Sequence, residues 1–402
     1  MAGMRKSQSL RAGISRIIYY KRLLSVMLLT AALSCLTGCG NEAVRTVSIA
    51  GQESSFDLTP VKKENEKAFT IGVMDLAPPI ESSYLWLKGL AEGLQSEGYI
   101  PKEVDLTKAP EDFYGYYDYL LSQELGEYIA FDEKLYMLDD GEDEAIAERI
   151  KERSASGELD VMAVTGTDPG LFLKELKLDI PLLVSFATDP IASGIIDSAE
   201  DTGNENIWAL VEPNPYGRQF EAYHTMLGFD RICMPEVKEW DIISGNSIYL
   251  DKAKELDVSV LEIFLTPEEA EGNELDKVLL KRLKEADLSD VDAVLFPYGT
   301  ITDDAASAVS EYLASKGIPS LVGDGDSISE FGGMMCLSNF DYEGYGNYVA
   351  MILSNIFHGE KAGDQPCVYT SSPHIVLNMS TVKKTGFQTE YELLRSVDRV
   401  YR

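Results

Sequence analysis

The chain has 402 residues, with 35 lysines and arginines against 67 aspartates and glutamates, a formal net charge of −32. A surface so acidic repels phosphate backbones and excludes a role in binding DNA or RNA. Beyond Cys35 and Cys39 near the N-terminus, only Cys233, Cys336 and Cys367 remain, an odd number that argues against a dense disulfide framework. None stands in metal-type spacing to another of them or to the three histidines, so no metal or cofactor is expected.

Arg5, Lys6, Arg11, Arg16, Lys21 and Arg22 precede the apolar run Leu23–Leu36 with no acidic residue among them. A basic lead, a short apolar core and small residues after it form the anatomy of a cleaved secretion signal. Fourteen helical residues rise only ~21 Å, short of the ~30 Å hydrocarbon core of a bilayer. The stretch Leu36-Thr37-Gly38-Cys39 resembles the lipobox of bacterial lipoproteins, which implies removal of residues 1–38 and acylation of Cys39. Ala32-Leu33-Ser34-Cys35 fits that pattern less well, since Ala32 stands where Leu is favoured. Without the signal, 29 basic residues face 67 acidic ones, a net charge near −38. Residues 39–67 are polar without sustained periodicity and read as a flexible tether. The stretch beyond is too long for one ordinary core and suits two lobes.

From Phe69 onward, β-type runs alternate with amphipathic helices. The first series of predicted strands is Phe69–Asp75, Leu135–Leu138, Asp160–Val164, Leu182–Ala187 and Ile207–Val211. The second is Arg231–Met234, Val258–Leu265, Ala293–Pro297, Ser320–Gly323, Met335–Asn339 and Ile375–Asn378. Near-continuous Val, Ile and Leu mark strands covered on both faces. Ser83–Gly98, Asn273–Asp287 and Ile301–Gly317 carry apolar stripes at helical spacing. Such alternation predicts an α/β fold with parallel sheets and right-handed crossovers, and two series predict two Rossmann-like lobes. One segment, Glu103–Phe131, breaks the rhythm with Phe113, Tyr114, Tyr116, Tyr117, Tyr119 and Tyr128. It reads either as an aromatic lid over a ligand or as a helix docked by its aromatic face. Cys233, Cys336 and Cys367 read as buried thiols, although one disulfide among them is compatible with the sequence.

Several segments together resemble the tryptophan/tyrosine-type substrate-binding proteins of ABC transporters. They are FTIGVMDLAPPIESSYLWLKGLAEGLQSEGY at Phe69–Tyr99, and IPLLVSFATDPIASGII at Ile180–Ile196 with its Ala187-Thr188-Asp189-Pro190 signature. VDAVLFPYGT from Val291, IPSLVGDGDS from Ile318, the run Tyr342–Pro366 and HIVLNMSTVKKTGF at the end complete the match, which covers most of residues 69–387. The resemblance implies a type I periplasmic-binding-protein fold, with two lobes joined by a three-crossing hinge. Residues 69–209 with 340–360 would form the N-terminal lobe, and 210–338 with 361–390 the C-terminal lobe. It also implies a monomeric, non-enzymatic lipoprotein on the extracytoplasmic face of the cell membrane. There it would capture a small solute, such as an amino acid, and deliver it to an ABC permease and its ATPase. The same fold also serves ligand-sensing subunits of membrane receptor kinases. A secreted α/β hydrolase fits poorly, because the chain has no G-x-S-x-G elbow and no nucleophile beside a histidine.

In open parallel sheets, ligands sit beyond the carboxyl ends of the strands, where loops and helix N-termini present unpaired N–H groups. Those loops offer Asp75, Thr165, Thr167, Thr188, Asp189, Glu212, Asn214, Tyr298, Thr300, Asp324 and Asp326 as candidate contacts. For an amino acid, the Thr hydroxyls and the helix at Pro169–Lys177 suit the carboxylate. Asp324 or Glu212 suits the ammonium. Each Asp or Thr at a strand end is equally a helix cap. Where the related proteins commonly carry Thr-Asp-Asn, this chain has Tyr298-Gly299-Thr300, which removes an acidic group from that loop.

Overall fold

The structure is a computed structural model that describes residues 44–49, 52–64, 66–139, 141–323, 326–338, 340–389 and 391–402. The expected signal, Cys39 and Asp324 lie outside the described residues. Two compact units emerge. The first holds the described residues of Gly40–Pro213 with Asp341–Ser371, and the second holds Asn214–Phe340 with Ser372–Arg402. Among the described residues the chain therefore passes from one to the other three times, at 213–214, 340–341 and 371–372.

The first unit opens with a hairpin, β1 (Val44–Ile49) antiparallel to β2 (Gln52–Asp57), in register Val44↔Asp57. This corrects the expectation of a flexible tether through residue 67. Phe56 is fully buried and meets Tyr348 edge-on at 6.1 Å between ring centroids. The Asp57 N–H donates to Asn355 Oδ1 at 3.1 Å, and the Ser354 hydroxyl donates to the Asp57 carbonyl at 2.7 Å. Phe56 and Asp57 thus pin a segment whose polar composition hides it.

The main sheet of this unit contains β3 (Phe69–Leu76), β4 (Ile129–Phe131), β5 (Tyr136–Leu138), β6 (Val161–Thr165), β7 (Leu182–Ser185) and β8 (Ile207–Ala209). Its order is β4-β3-β6-β7-β8, with β5 also on β3, and every pairing is parallel. All residues of β6, β7 and β8 are buried, which explains their near-continuous apolar sequences. Over the sheet, the helices Glu81–Ser96 and Tyr342–Phe357 cross with their backbones touching. A Cβ on Gly89 would lie 2.0 Å from the Glu343 carbonyl, and one on Gly346 would lie 2.0 Å from the Trp86 carbonyl.

The aromatic insertion is a docked element. Its helix, Phe113–Ser122, buries Phe113, Tyr116, Tyr117 and Leu120. Tyr116 packs edge-on against Tyr84, and the Tyr117 hydroxyl donates to the Asp132 carbonyl at 2.7 Å. Residues 361–371, expected in the second lobe, belong to the first unit. Val211 bridges to Val368, and the Trp208 indole and Tyr348 hydroxyl both donate to the Pro366 carbonyl at 2.9 Å. Those bonds hold the segment beside β8, so its chain crossing falls after Ser371.

The second unit's sheet has the order β10-β9-β11-β12-β13-β14-β15. Its strands are β9 (Arg231–Val237), β10 (Ser259–Leu265), β11 (Ala293–Phe296), β12 (Ser320–Val322), β13 (Met335–Ser338), β14 (His374–Asn378) and β15 (Arg399–Tyr401). Only the β13–β14 pairing is antiparallel. Strand alternation sends Ile232, Met234, Ala293 and Leu295 into one apolar core, and Cys233, Val237, Val294 and Phe296 into another on the opposite face. Cys233, Cys336 and Cys367 are buried. Burial pushes the Cys233 thiol up to about 12 and Cys367 up to about 11, which leaves neither available as a thiolate nucleophile.

Candidate functional site

The parallel register of the first unit's sheet gathers several candidate residues at its carboxyl edge. Met74 pairs with Val164 and Thr165 with Ser185, so Asp75 and Thr165 emerge side by side. Asp75 is only 5% exposed. Its Oδ1 accepts the Leu76 N–H at 2.7 Å, while its Oδ2 is buried with no hydrogen-bond partner. Burial raises the Asp75 carboxyl above its ordinary 3.8, opposed in part by the nearby Ser83 and Thr165 hydroxyls and the Leu76 N–H. Thr165 is buried, and its hydroxyl donates to the Met74 carbonyl at 3.5 Å.

The helix that follows β6 spans Thr167–Leu176, two residues earlier than the sequence suggested. Its N-cap is Gly166, at φ 97°, a conformation that favours glycine. Gly166 offers no side chain to cap the first turn, which leaves amide donors at the positive end of the helix dipole. Thr167 Oγ1 accepts the Thr188 N–H at 3.3 Å, which joins the loops after β6 and β7. Asp189 acts as a turn cap, its Oδ1 accepting the Ile191 and Ala192 N–H groups at 3.1 and 2.8 Å. Glu212 is likewise engaged: it accepts the Tyr345 hydroxyl at 3.0 Å, the Ser371 N–H at 3.0 Å and the Ser371 hydroxyl at 2.9 Å.

Three aromatic residues near this edge were not singled out in the sequence. Phe186, just past β7, has φ 59°, rare for a bulky side chain. Its ring sits edge-on to Tyr342 at 5.2 Å and to Tyr345 at 5.8 Å. The signal was present as Tyr342 and Tyr345 at i, i+3 on one helix, but their ring partner is distant in sequence. Below them, the buried Trp86 indole donates to Ser185 Oγ at 3.2 Å.

In the second unit, Asn214 has φ 45° and caps the helix Pro215–Leu227 by accepting the Gly217 N–H at 3.1 Å. Thr300 is buried, and its hydroxyl donates to the Pro297 carbonyl at 2.8 Å. Tyr298 is 43% exposed, and its carbonyl accepts the Ser244 hydroxyl. Asp326 opens the short helix Asp326–Glu330. Behind that loop, the buried Gln219 amide donates to the carbonyls of Gly323 and Leu337, both at 2.5 Å. The Tyr223 hydroxyl donates to the Val322 carbonyl and accepts the Leu337 N–H, both at 2.7 Å. Those bonds tie the carboxyl ends of β12 and β13 together. Glu236, near the end of β9, is 3% exposed, and burial with the neighbouring Glu262 raises its carboxyl. Sequence reading missed it, because a lone glutamate in an apolar strand carries no pattern.

Amide donors, hydroxyls and carboxylates at strand ends suit polar contacts to a small solute. The class these features define is the two-lobed solute-binding protein. The chain belongs to the family of ABC transporter substrate binding proteins, whose sequence profile matches residues 126–401. It is 21% identical over 384 residues to a tyrosine-binding protein of Clostridioides difficile, covering 92% of this chain and 94% of that one. Among solved structures it resembles the ABC domain of Streptococcus pneumonia in complex with L-Trp, at 17% identity and TM-score 0.57, over 83% of this chain and all of that one. It also resembles a ligand-free, open substrate binding protein with adhesive properties from Clostridium difficile, at 17% identity and TM-score 0.60, over 83% and 99% of the two chains. The fold is that of the type I periplasmic binding proteins, and the chain is not an enzyme.

Proposed function

We propose that this protein is the lipid-anchored receptor of an ABC importer, and that it captures an amino acid, aromatic ones foremost, between its two units. The observation that carries this reading is the helix Thr167–Leu176, whose N-terminus has no side-chain cap and whose first residue, Thr167, accepts the Thr188 N–H through its hydroxyl. Backbone amides at the positive end of a helix dipole, with hydroxyls around them, suit a ligand carboxylate. The names of the relatives, one binding tyrosine and one in complex with L-Trp, support the ligand class. Asn214, Tyr298, Thr300, Asp324 and Asp326 then contribute from the second unit as the two close around the hinge, while Asp189 and Glu212 brace the first. Ligand favours closure because it contacts both lobes, and the closed form is what the permease would recognise.

Calorimetry of the mature domain against L-tyrosine and L-tryptophan tests the reading. Binding should stabilise the fold by about 2.7 kcal/mol at a hundredfold excess over the dissociation constant. It should also reduce the radius of gyration in small-angle scattering. No heat with any of the common amino acids would refute the ligand class, and binding without compaction would refute hinge closure. For the anchor, Cys39→Ala should leave the protein unprocessed or release it into the medium. Retained acylation in that variant would shift the modified residue to Cys35.

A further inference from the structure

We propose that Asp75 is the acceptor for the ligand's ammonium group, which makes the bound solute a zwitterion whose two poles are read at one sheet edge of the first unit. This deepens the amino acid reading above and rests on it. Asp75 is 95% buried by its 5% exposure, keeps Oδ2 without a hydrogen-bond partner, and forms no ion pair among the described residues. A buried carboxylate left this way is costly, and it persists where a ligand supplies the missing donor. The other two strand-end carboxylates proposed for this unit are engaged: Glu212 by Ser371 and Tyr345, Asp189 by two backbone amides.

The geometry adds a second requirement. Asp75 and Thr165 leave adjacent strands together, and Thr165 lies two residues before Thr167, the first residue of the uncapped helix. An acceptor and an anion-binding turn thus stand within a few residues of each other across one strand pair. An α-amino acid carries its ammonium and carboxylate on a single carbon, so it needs such a pair. A sugar or a simple organic acid uses only half of it. Ser83, buried beside Asp75 at the start of the helix Glu81–Ser96, completes the polar wall.

Three probes separate the poles: L-tyrosine, tyramine, which lacks the carboxylate, and 3-(4-hydroxyphenyl)propanoate, which lacks the ammonium. Calorimetry on the wild-type protein should favour L-tyrosine over the propanoate by about 10- to 100-fold, the range for hydrogen bonds to charged groups. In Asp75→Asn, with folding checked by circular dichroism, that preference should fall to near unity, while the preference over tyramine persists. A wild-type protein that binds the propanoate as tightly as L-tyrosine has no ammonium site, and the proposal fails before any variant is made. If Asp75→Asn retains the preference and Asp324→Asn loses it, the acceptor is Asp324 and the proposal is overturned, with the amino acid reading intact. Wild-type protein that binds no amino acid overturns both.

Discussion

The Tyr345 hydroxyl donates to Glu212 Oε2 at 3.0 Å, and Ser371 adds its N–H and hydroxyl to the same carboxylate. All three residues belong to the first unit, so Glu212 ties the last residue before one chain crossing to the helix Tyr342–Phe357. Glu212→Ala should cost about 1–3 kcal/mol, because the buried donors lose their acceptor. Glu212→Gln keeps one carbonyl oxygen and should cost less. Urea denaturation measures both. Ligand affinity in the Gln variant should change by less than about threefold, since removing this charge breaks no proposed ligand contact. A tenfold loss in a normally folded Gln variant would return Glu212 to the ligand's immediate shell.

Gly346 tests the helix crossing. A Cβ there would lie 2.0 Å from the Trp86 carbonyl and 2.5 Å from the Leu90 nitrogen, both backbone atoms that cannot swing aside. Gly346→Ala must push the helices Glu81–Ser96 and Tyr342–Phe357 apart and should destabilise the fold by about 1–3 kcal/mol or more, despite alanine's better helix propensity. A variant as stable as wild type in thermal melts would show that the helices do not touch at this point.

Asp75 predicts an unusual pH dependence. Its folded carboxyl is raised above the ordinary 3.8 by burial, so the folded state holds the proton more tightly than the unfolded chain. Its contribution to stability is therefore full below the unfolded value and is lost as pH rises through the raised folded value. Asp75→Asn removes that loss. The variant should melt higher than wild type at pH 7, with the gap closing toward pH 4. A lower melting temperature for the variant at pH 7 would mean that the carboxylate is stabilised in the apo protein. A binding residue whose removal stabilises the empty fold is one held ready for its ligand at the expense of stability.

The architecture was legible because doubly covered strands leave continuous apolar runs. β3, β6, β7, β9 and β11 all fall within a few residues of their expected limits. What escaped notice was short or polar. Ile129–Phe131 and Arg399–Tyr401 are three residues each, too few to display a period, and exist because a neighbouring strand offers its edge. The hairpin Val44–Asp57 mixes Ser, Thr, Gln and Glu among its apolar residues, so only Phe56 betrays it. At the site, strand ends identified Asp75 and Thr165. The state of Asp75 depends on Ser83 and on β6, which meet it only in the folded chain, and the same is true of Phe186 against Tyr342 and Tyr345.

The helix Tyr342–Phe357 carries two different loads at its ends. Its C-terminal turn grips the hairpin through Ser354 and Asn355, and its N-terminal turn holds Tyr342 and Tyr345 against Phe186. Sixteen residues at ~1.5 Å each make a rod of about 24 Å between them. The hairpin is thus fastened at the opposite end of the strut from the aromatic rings. A strain placed on the hairpin is therefore taken up a strut's length away from those rings.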